Sequence, residues 1–599
     1  VGDVIVFGVG QYSMRVWLDP ELLKAFGLDP SDVVGPIQQQ NLQVPAGQVG
    51  MPPAPAGQNF QFPVNVAGRL DEVEEFENII VKIATGQGSR IIRVKDVGRV
   101  ELGAQTYSQF CKFDGRASAG VAIFQLPGAN ALQVADEVAK AMAELSKSFP
   151  AGLAYAIPFD TTQFTRASID EVYKTLYEAA ALVLLVIMVF LQNWRATLVP
   201  ATTVPVTIIG AFIAMAAMGF TVNVVTLFAR ILAIGIVVDD AIVIVEGAAH
   251  GVEQGLTPKQ ASIQAMDELT GPVLGITFVL MAVFLPAAFL PGITGQLYRQ
   301  FALVIAATAA ISAVNALTLK PVQCSQYLKP RTGRINAFYR GFNRVYNAFE
   351  GWYAGIVKFA VRHSGVMMTV YLGLMAATFY GFTAIPTGFI PEEDQGYAIV
   401  GIQLPDAAAI ERAGEVAARV EKILKEPPGI AHLITIGGVS LLDNSASLPN
   451  GAMIYALYQD FEERGRHDLT QEKILAEVRR RIAAVQDAIA FAVVPPAIQG
   501  LGVSGGFQMM LQLKGAGFDF AKIGQMTEEM LRDGNSQSGL AGLTTSFRPG
   551  YPQIDTAVDR VKAENVNVPV GNVFNALQSY IGSYYVNQFN KFGRTYQVY

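Results

Sequence analysis

Apolar positions divide this chain into three parts. Residues 1–160 and 387–599 alternate polar and apolar positions at short intervals, whereas long apolar runs crowd the segment between them. Six of these runs lie near 175–192, 198–219, 225–246, 272–290, 299–319 and 365–386. Each approaches the roughly 20 residues that a helix needs to cross a bilayer. The pattern predicts six membrane spans, and their crowding into one third of the chain argues against buried helices of a soluble core. The stretch 334–362 (RINAFYRGFNRVYNAFEGWYAGIVKFAVRH) mixes aromatic and basic residues at helical spacing. It predicts an amphipathic helix lying on a membrane face.

The outer parts read as α+β. QGYAIVGIQLP, GIAHLITIGG, GAMIYALYQDF and AIAFAVVPPA have strand patterns, while AAAIERAGEVAARVEKILKE and DLTQEKILAEVRRRIAAVQ have helical ones. Their order is β-α-β-β-α-β, a ferredoxin-like pattern. FQMMLQLKG predicts the first strand of a second such unit at Phe507, with a helix near 519–533. A weaker repeat aligns 16–38 with 556–578 without gaps, setting Asp19 on Asp559, Leu28 on Val568, Val33 on Val573 and Ile37 on Leu577. The shared pattern is a strand, an acidic turn and two short helices. If each half of a duplicated protein carries a soluble block followed by spans, the first copy begins near its middle and the second stops before its spans. The opening VGDVIVFG has neither a basic nor an apolar leader region, so the chain is expected to be a window cut from a longer sequence.

Composition supports a membrane class: 51% of residues are hydrophobic and 16% charged, against about 25% charged in soluble proteins. A net charge of -6 favours neither nucleic acid nor an acidic partner. The loops decide orientation. One set carries Arg195, Lys259, Lys320, Lys329, Arg331, Arg334, Arg340, Arg344, Lys358 and Arg362, while 220–224 and 291–298 on the other side have no Lys or Arg. Basic loops stay cytoplasmic, so both soluble blocks lie outside, in the periplasm of a double-membrane bacterium. Cys111 and Cys324 then fall on opposite sides, which argues against a disulfide. The four scattered histidines offer no metal-ligand spacing, and no nucleophile–base constellation suggests an enzyme.

The third span, VTLFARILAIGIVVDDAIVIVE, carries the chemistry. A carboxylate at bilayer depth costs about 2.5–3.5 kcal/mol, so the adjacent Asp239 and Asp240 point to an ion or proton path. Two neighbouring carboxylates with little water disfavour simultaneous ionisation, which suits the uptake and release of one proton. Placement at the cytoplasmic interface, or a structural ion pair, is the alternative. Gly235, one turn earlier, would admit a neighbouring helix closely. A counter-cation is expected outside this chain, because no lysine lies inside a span. Arg230 is about 13 Å away along the axis and turned to another face.

These motifs together resemble the hydrophobe/amphiphile exporter branch of the resistance-nodulation-division superfamily. GVGQYSMRVWLDP, FDTTQF, LFARILAIGIVVDDAIVIVE, GQLYRQFA, TLKPVQC and TGFIPEEDQG carry the resemblance, and they run through the whole chain. It implies a proton/drug antiporter of the bacterial inner membrane, a homotrimer working with a periplasmic adaptor protein and an outer-membrane channel. The proton would be the only coupling species, with no cofactor and no metal. Asp239 and Asp240 match the family's proton relay. The implied layout is the end of a porter subdomain at 1–11, a docking piece at 12–104 and the porter return at 105–160. Spans one to five fall at 161–333, the cytoplasmic amphipathic helix at 334–362 and the sixth span at 363–386. Porter subdomains occupy 387–500 and 501–550, and a second docking piece starts at 551–599.

The resemblance also implies a drug pocket. Phe7, Phe159, Leu433 and Tyr455 match its deep positions, and Ile399, Phe507, Met509, Leu511 and Arg548 its access side. Gly437 and Gly438 match a glycine-rich switch loop, here without the usual aromatic pair. Arg230 stands where the family usually has an uncharged residue. Two other readings are weighed: metal-ion export, disfavoured because no Met, His or Cys cluster lines a path, and a non-transporting scaffold or inactive fragment.

Overall fold

The computed structural model describes residues 1–599 apart from 9, 45, 56, 65, 67, 85–89, 330–336, 386–392, 444, 497–506, 508, 516, 518 and 541. Most of the TGFIPEEDQG motif and the first three residues of the expected amphipathic helix therefore lie outside the described residues. The chain forms two units, Val1–Phe159 with Ile390–Tyr599, and Asp160–Phe389.

The first unit begins β1 (Asp3–Phe7), β2 (Tyr12–Leu18), α1 (Pro20–Phe26), α2 (Pro30–Gln40), β3 (Gln48–Val49), β4 (Phe62–Pro63), α3 (Val73–Glu77) and β5 (Ile80–Ala84). It continues β6 (Arg90–Arg93), α4 (Val94–Val97), β7 (Gly98–Ala104), β8 (Phe110–Phe113), β9 (Arg116–Ala117), β10 (Gly120–Phe124) and α5 (Ala131–Leu145). Aspartates start the first two helices: Asp19 accepts from the Glu21 and Leu22 amides, and Asp29 from those of Ser31 and Asp32. Each satisfies donors that a helix N-terminus leaves free.

The second unit is helical: α6 (Thr162–Leu191), α7 (Trp194–Ala201), α8 (Thr203–Ala217), α9 (Val224–Glu253), α10 (Pro258–Phe284), α11 (Gly292–Tyr327), α12 (Ala337–Arg362) and α13 (Ser364–Ala384). Among the described residues five stretches are long and apolar enough to cross a membrane: Thr162–Leu191, Trp194–Ala217, Pro258–Phe289, Gly292–Tyr327 and Ser364–Ala384. The expected third span, α9, is as long. Arg230, Asp239, Asp240 and Glu246 leave no span-length stretch of it with fewer than three charges. Small residues set its packing. A Cβ on Gly247 would meet Leu269 at 2.8 Å, one on Gly251 would meet Ala261 at 2.9 Å, and one on Gly210 of α8 would meet Ile311 of α11 at 2.8 Å. Gly235, expected to admit a neighbour, has nothing within 4 Å. Close approach occurs at the far end of α9 instead. On α12 the aromatic residues Phe338, Phe349, Trp352 and Phe359 are exposed.

The chain then returns to the first unit through β11 (Tyr397–Gln403), α14 (Ile410–Leu424), β12 (Ile430–Ser440), β13 (Ala446–Tyr458), α15 (Phe461–Arg466), α16 (Gln471–Ile482) and β14 (Ile489–Val493). These strands join β8 and β9 in one antiparallel sheet, ordered β14-β11-β13-β12-β8-β9. Alternation assigns the faces. Ala398, Val400 and Ile402 pack with Val416, Val420 and Leu424 of α14 and Ile474 and Val478 of α16. Tyr397 and Ile399 point to the opposite face.

The last elements are α17 (Phe520–Asn535), α18 (Arg560–Asn565), α19 (Val570–Leu577), β15 (Asn587–Lys591) and β16 (Arg594–Val598). The strand expected at FQMMLQLKG does not form among the described residues; Phe507, Met509 and Leu511 are exposed and find no strand to pair with. Of the strand, acidic turn and two short helices expected in both 16–38 and 556–578, the helix pairs α1–α2 and α18–α19 form, but the strand forms only in the first copy, as β2. Asp559 caps α18, accepting from Lys562, as its counterpart Asp19 caps α1. Asn572 of α19 donates to Asp29 at the start of α2 (3.2 Å), so the two copies touch. The sheet β15-β16-β2-β7 binds the two ends of the chain, with β16 parallel to β2.

Candidate proton site and apolar cluster

Asp239 and Asp240 are neighbours on α9, about 100° apart around its axis, and meet different surroundings. Asp239 is exposed on the unit, whereas Asp240 is buried at 8% exposure. The Ser312 hydroxyl of α11 donates to Asp240 Oδ2 at 2.9 Å. The two helices run parallel in constant register. Below the Asp240–Ser312 bond, Ile244 packs with Ala316 and Val273. Further along, Val245, Ala248 and Val252 pack with Cys324 of α11 and Val199 of α7.

α11 holds two more buried polar side chains. Asn315, 5% exposed, has both amide atoms buried without a hydrogen-bond partner. Lys320 is fully buried. Its Nζ donates to the Val199 carbonyl (2.9 Å), Thr202 Oγ1 (2.8 Å) and Gln323 Oε1 (3.2 Å), all neutral acceptors. This corrects the reading of Lys320 as a loop residue. The helix runs on through Pro321 to Tyr327, and α11 carries the lysine inside the bundle. Arg230 is also buried, with its guanidinium carbon 3.6 Å from the centre of the Phe212 ring and its Nε unpartnered. The stacking replaces water with an aromatic face.

On the sheet face opposite α14 and α16, Phe7, Phe159, Tyr397, Ile399, Tyr455 and Phe491 gather with Ile436 and Met453. The Phe159 ring lies 4.8 Å from Tyr397 and 5.4 Å from Tyr455, centre to centre. Four of the expected pocket residues, Phe7, Phe159, Ile399 and Tyr455, thus share one cluster. Burial pushes the Tyr397 phenol up to about 12, with Tyr455 adding to the effect, and burial also raises Tyr455.

The other expected residues lie elsewhere. Leu433 packs on the helix side of the sheet, because strand parity turns it away from Ile434 and Ile436. Arg548 pairs with Asp443 (2.6 Å) and Asp406 (3.3 Å). Gly437 and Gly438 are not loop residues. Both lie in β12, at an irregularity before Val439. A Cβ on Gly437 would sit 2.0 Å from the Phe110 ring, and Gly438 has φ +80° with Ser108 O 1.9 Å from where its Cβ would be. The turn itself begins at Leu441.

The helical unit holds the aspartate pair, and the α+β unit holds the aromatic cluster. The sequence matches the AcrB/AcrD/AcrF family over residues 1–599. The chain belongs to this family. It is 36% identical to the multidrug resistance protein MdtF of Escherichia coli K12 and to the multidrug export protein AcrF of the same strain, covering 100% of this chain and 58% of each relative. With the toluene efflux pump membrane transporter TtgB of Pseudomonas putida it shares 35% identity, over 100% of this chain and 57% of that one. The chain thus spans under three fifths of the length of these relatives.

Within this AcrB/AcrD/AcrF-family chain, sequence reasoning missed Ser312, for which it held no signal, and also Tyr397, Asn315 and the burial of Lys320. Tyr397 carries a usable signal, two positions before Ile399 on one strand and therefore on the same face. Asn315 lies three residues after Ser312 on α11, hence on nearly the same side. Lys320 was hidden by Pro321, since proline inside a helix removes a hydrogen bond and usually marks its end.

Proposed function

We propose that this chain is part of a proton-driven exporter of amphiphilic drugs and toxic compounds in a bacterial inner membrane. Asp239 and Asp240 are its intramembrane proton site. The observation that carries the reading is a buried carboxylate, Asp240, on a helix packed among membrane-length apolar helices and hydrogen-bonded to Ser312. Ionisable groups at that depth default to ion or proton pathways. In this reading α6, α7–α8, α9, α10, α11 and α13 are six spans, and α12 lies on the cytoplasmic face. The soluble unit is periplasmic, its β11–β14 part is a ferredoxin-like porter subdomain, and its helix pairs belong to docking pieces. The Phe159–Tyr397–Tyr455 cluster supplies a largely apolar surface with two phenolic anchors, which suits amphiphiles. Its relatives' names, multidrug export and toluene efflux, support that substrate class. The working protein is read as a homotrimer coupled to a periplasmic adaptor and an outer-membrane channel, with the proton as its only coupling species.

The test is Asp239→Asn and Asp240→Asn in the intact pump, scored for export of a fluorescent amphiphile and for proton flux. Each variant should lower export at least tenfold while ligand binding persists. Normal export and proton flux in both would sink the proposal.

A further inference from the structure

We propose that α11 carries the cytoplasmic leg of the proton path, with Asn315 and Lys320 passing the proton that Asp240 releases. The inference rests on the reading of Asp239 and Asp240 as the proton site. Ser312 sits on Asp240, and Lys320 lies eight residues further along α11, about 12 Å along its axis. Tyr327, the end of the helix, is about 10 Å beyond that. Because α9 and α11 keep one register, this stretch of α11 faces the α9 segment that follows Asp240 toward the basic loops.

Two features of this stretch are costly unless they are used. A buried amide without hydrogen bonds costs roughly 1–3 kcal/mol, and Asn315 leaves both its donor and its acceptor unpartnered between Asp240 and Lys320. An amide of this kind binds and orients water, and oriented water transfers protons. A buried ammonium is less favourable still without an opposite charge, yet the three partners of Lys320 are neutral. Those partners also give an outlet: Thr202 Oγ1 donates to Gln323 Oε1 at 3.1 Å, and the Gln323 side chain is part-buried beside Lys320.

The transfer is balanced. The Lys320 ammonium gives one proton to the cytoplasmic side past Thr202 and Gln323, leaving a neutral amine. The Asp240 carboxylic acid then gives its proton through water held at Asn315 to that amine. The products are the Asp240 carboxylate and the restored ammonium, and one proton has left for the cytoplasm.

The experiment uses the intact pump in proteoliposomes, following drug-coupled proton flux with a trapped pH dye in Asn315→Leu, Asn315→Ser, Lys320→Met and Asp240→Asn. Asn315→Leu and Lys320→Met should bind the fluorescent amphiphile as the unmodified pump does but lose at least tenfold in coupled proton flux. Asn315→Ser, which keeps a polar group, should restore most of it. Imidazole on the cytoplasmic side, a mobile proton carrier, should restore flux in Lys320→Met. Unchanged flux in Asn315→Leu and Lys320→Met beside a dead Asp240→Asn overturns this path and leaves the proton site standing. Full flux in Asp240→Asn overturns the proton site itself. Losses that neither serine nor imidazole repairs, accompanied by a lower melting temperature, make Lys320 a structural tie between α11 and α7 and overturn the path as well.

Discussion

Tyr397 and Tyr455 are phenols turned into a cluster with Phe159 and Ile399, and their burial fixes how they titrate. A phenol ordinarily ionises near pH 10; in the folded protein Tyr397 is held to about 12. The folded state therefore keeps a proton that the unfolded chain gives up. This contribution to stability is complete below pH 10 and is lost as pH rises from about 10 through about 12. Phenolate absorbance during an alkaline titration should show a late step near pH 12 that is missing in Tyr397→Phe. A step already complete near pH 10 would place the ring in water. At this scale the sequence shows which carboxylates lie inside an apolar run, because such charge is conspicuous without coordinates. It did not show the neighbours. Ser312 lies 72 positions from Asp240, a pairing that only helix packing makes.

At the scale of elements, alternation and helical periodicity placed β11, α14, β12, β13, α16 and β14 because each presents one apolar face to a shared core. The misreadings have equally local causes. FQMMLQLKG has the alternation of a strand, but a strand needs a hydrogen-bonded neighbour, and none pairs with it among the described residues. The family resemblance implied a switch loop at Gly437 and Gly438. In β12 those glycines instead make room for Phe110 of the neighbouring strand β8 and for Ser108 just before it. Gly437→Val should therefore destabilise the soluble unit by about 1–3 kcal/mol, the usual cost of overpacking. Gly465→Ala in α15, where an added Cβ meets nothing within 4 Å, should leave it unchanged or slightly firmer. Denaturant melts of both variants check this, and equal midpoints would show that the sheet yields freely at Gly437.

Across the whole molecule, orientation is the property on which every functional statement depends. In the proposed orientation Arg344 faces the cytoplasm and Thr221 the other side. Both positions are exposed, and the two native cysteines are buried. In intact cells permeabilised only at the outer membrane, Thr221→Cys should react with an impermeant maleimide and Arg344→Cys should not until the inner membrane is opened. The reverse pattern would invert the protein and move the soluble unit into the cytoplasm.

The sequence by itself determined the division into an apolar helical part and mixed α+β parts, the order of six elements between Tyr397 and Val493, and the adjacent carboxylates inside an apolar run. Each of these depends on periodicity or polarity within a short stretch, which the chain displays directly. Tertiary structure alone decided which side chains meet. Strand parity turned Leu433 away from the aromatic cluster and Tyr397 into it. The continuation of α11 past Pro321 carried Lys320 from a supposed loop into the bundle. The parallel register of α9 and α11 brought Ser312 to Asp240 and left Asn315 buried beyond it. Contacts between residues dozens of positions apart are fixed by how faces pack, and packing is a property of the folded whole.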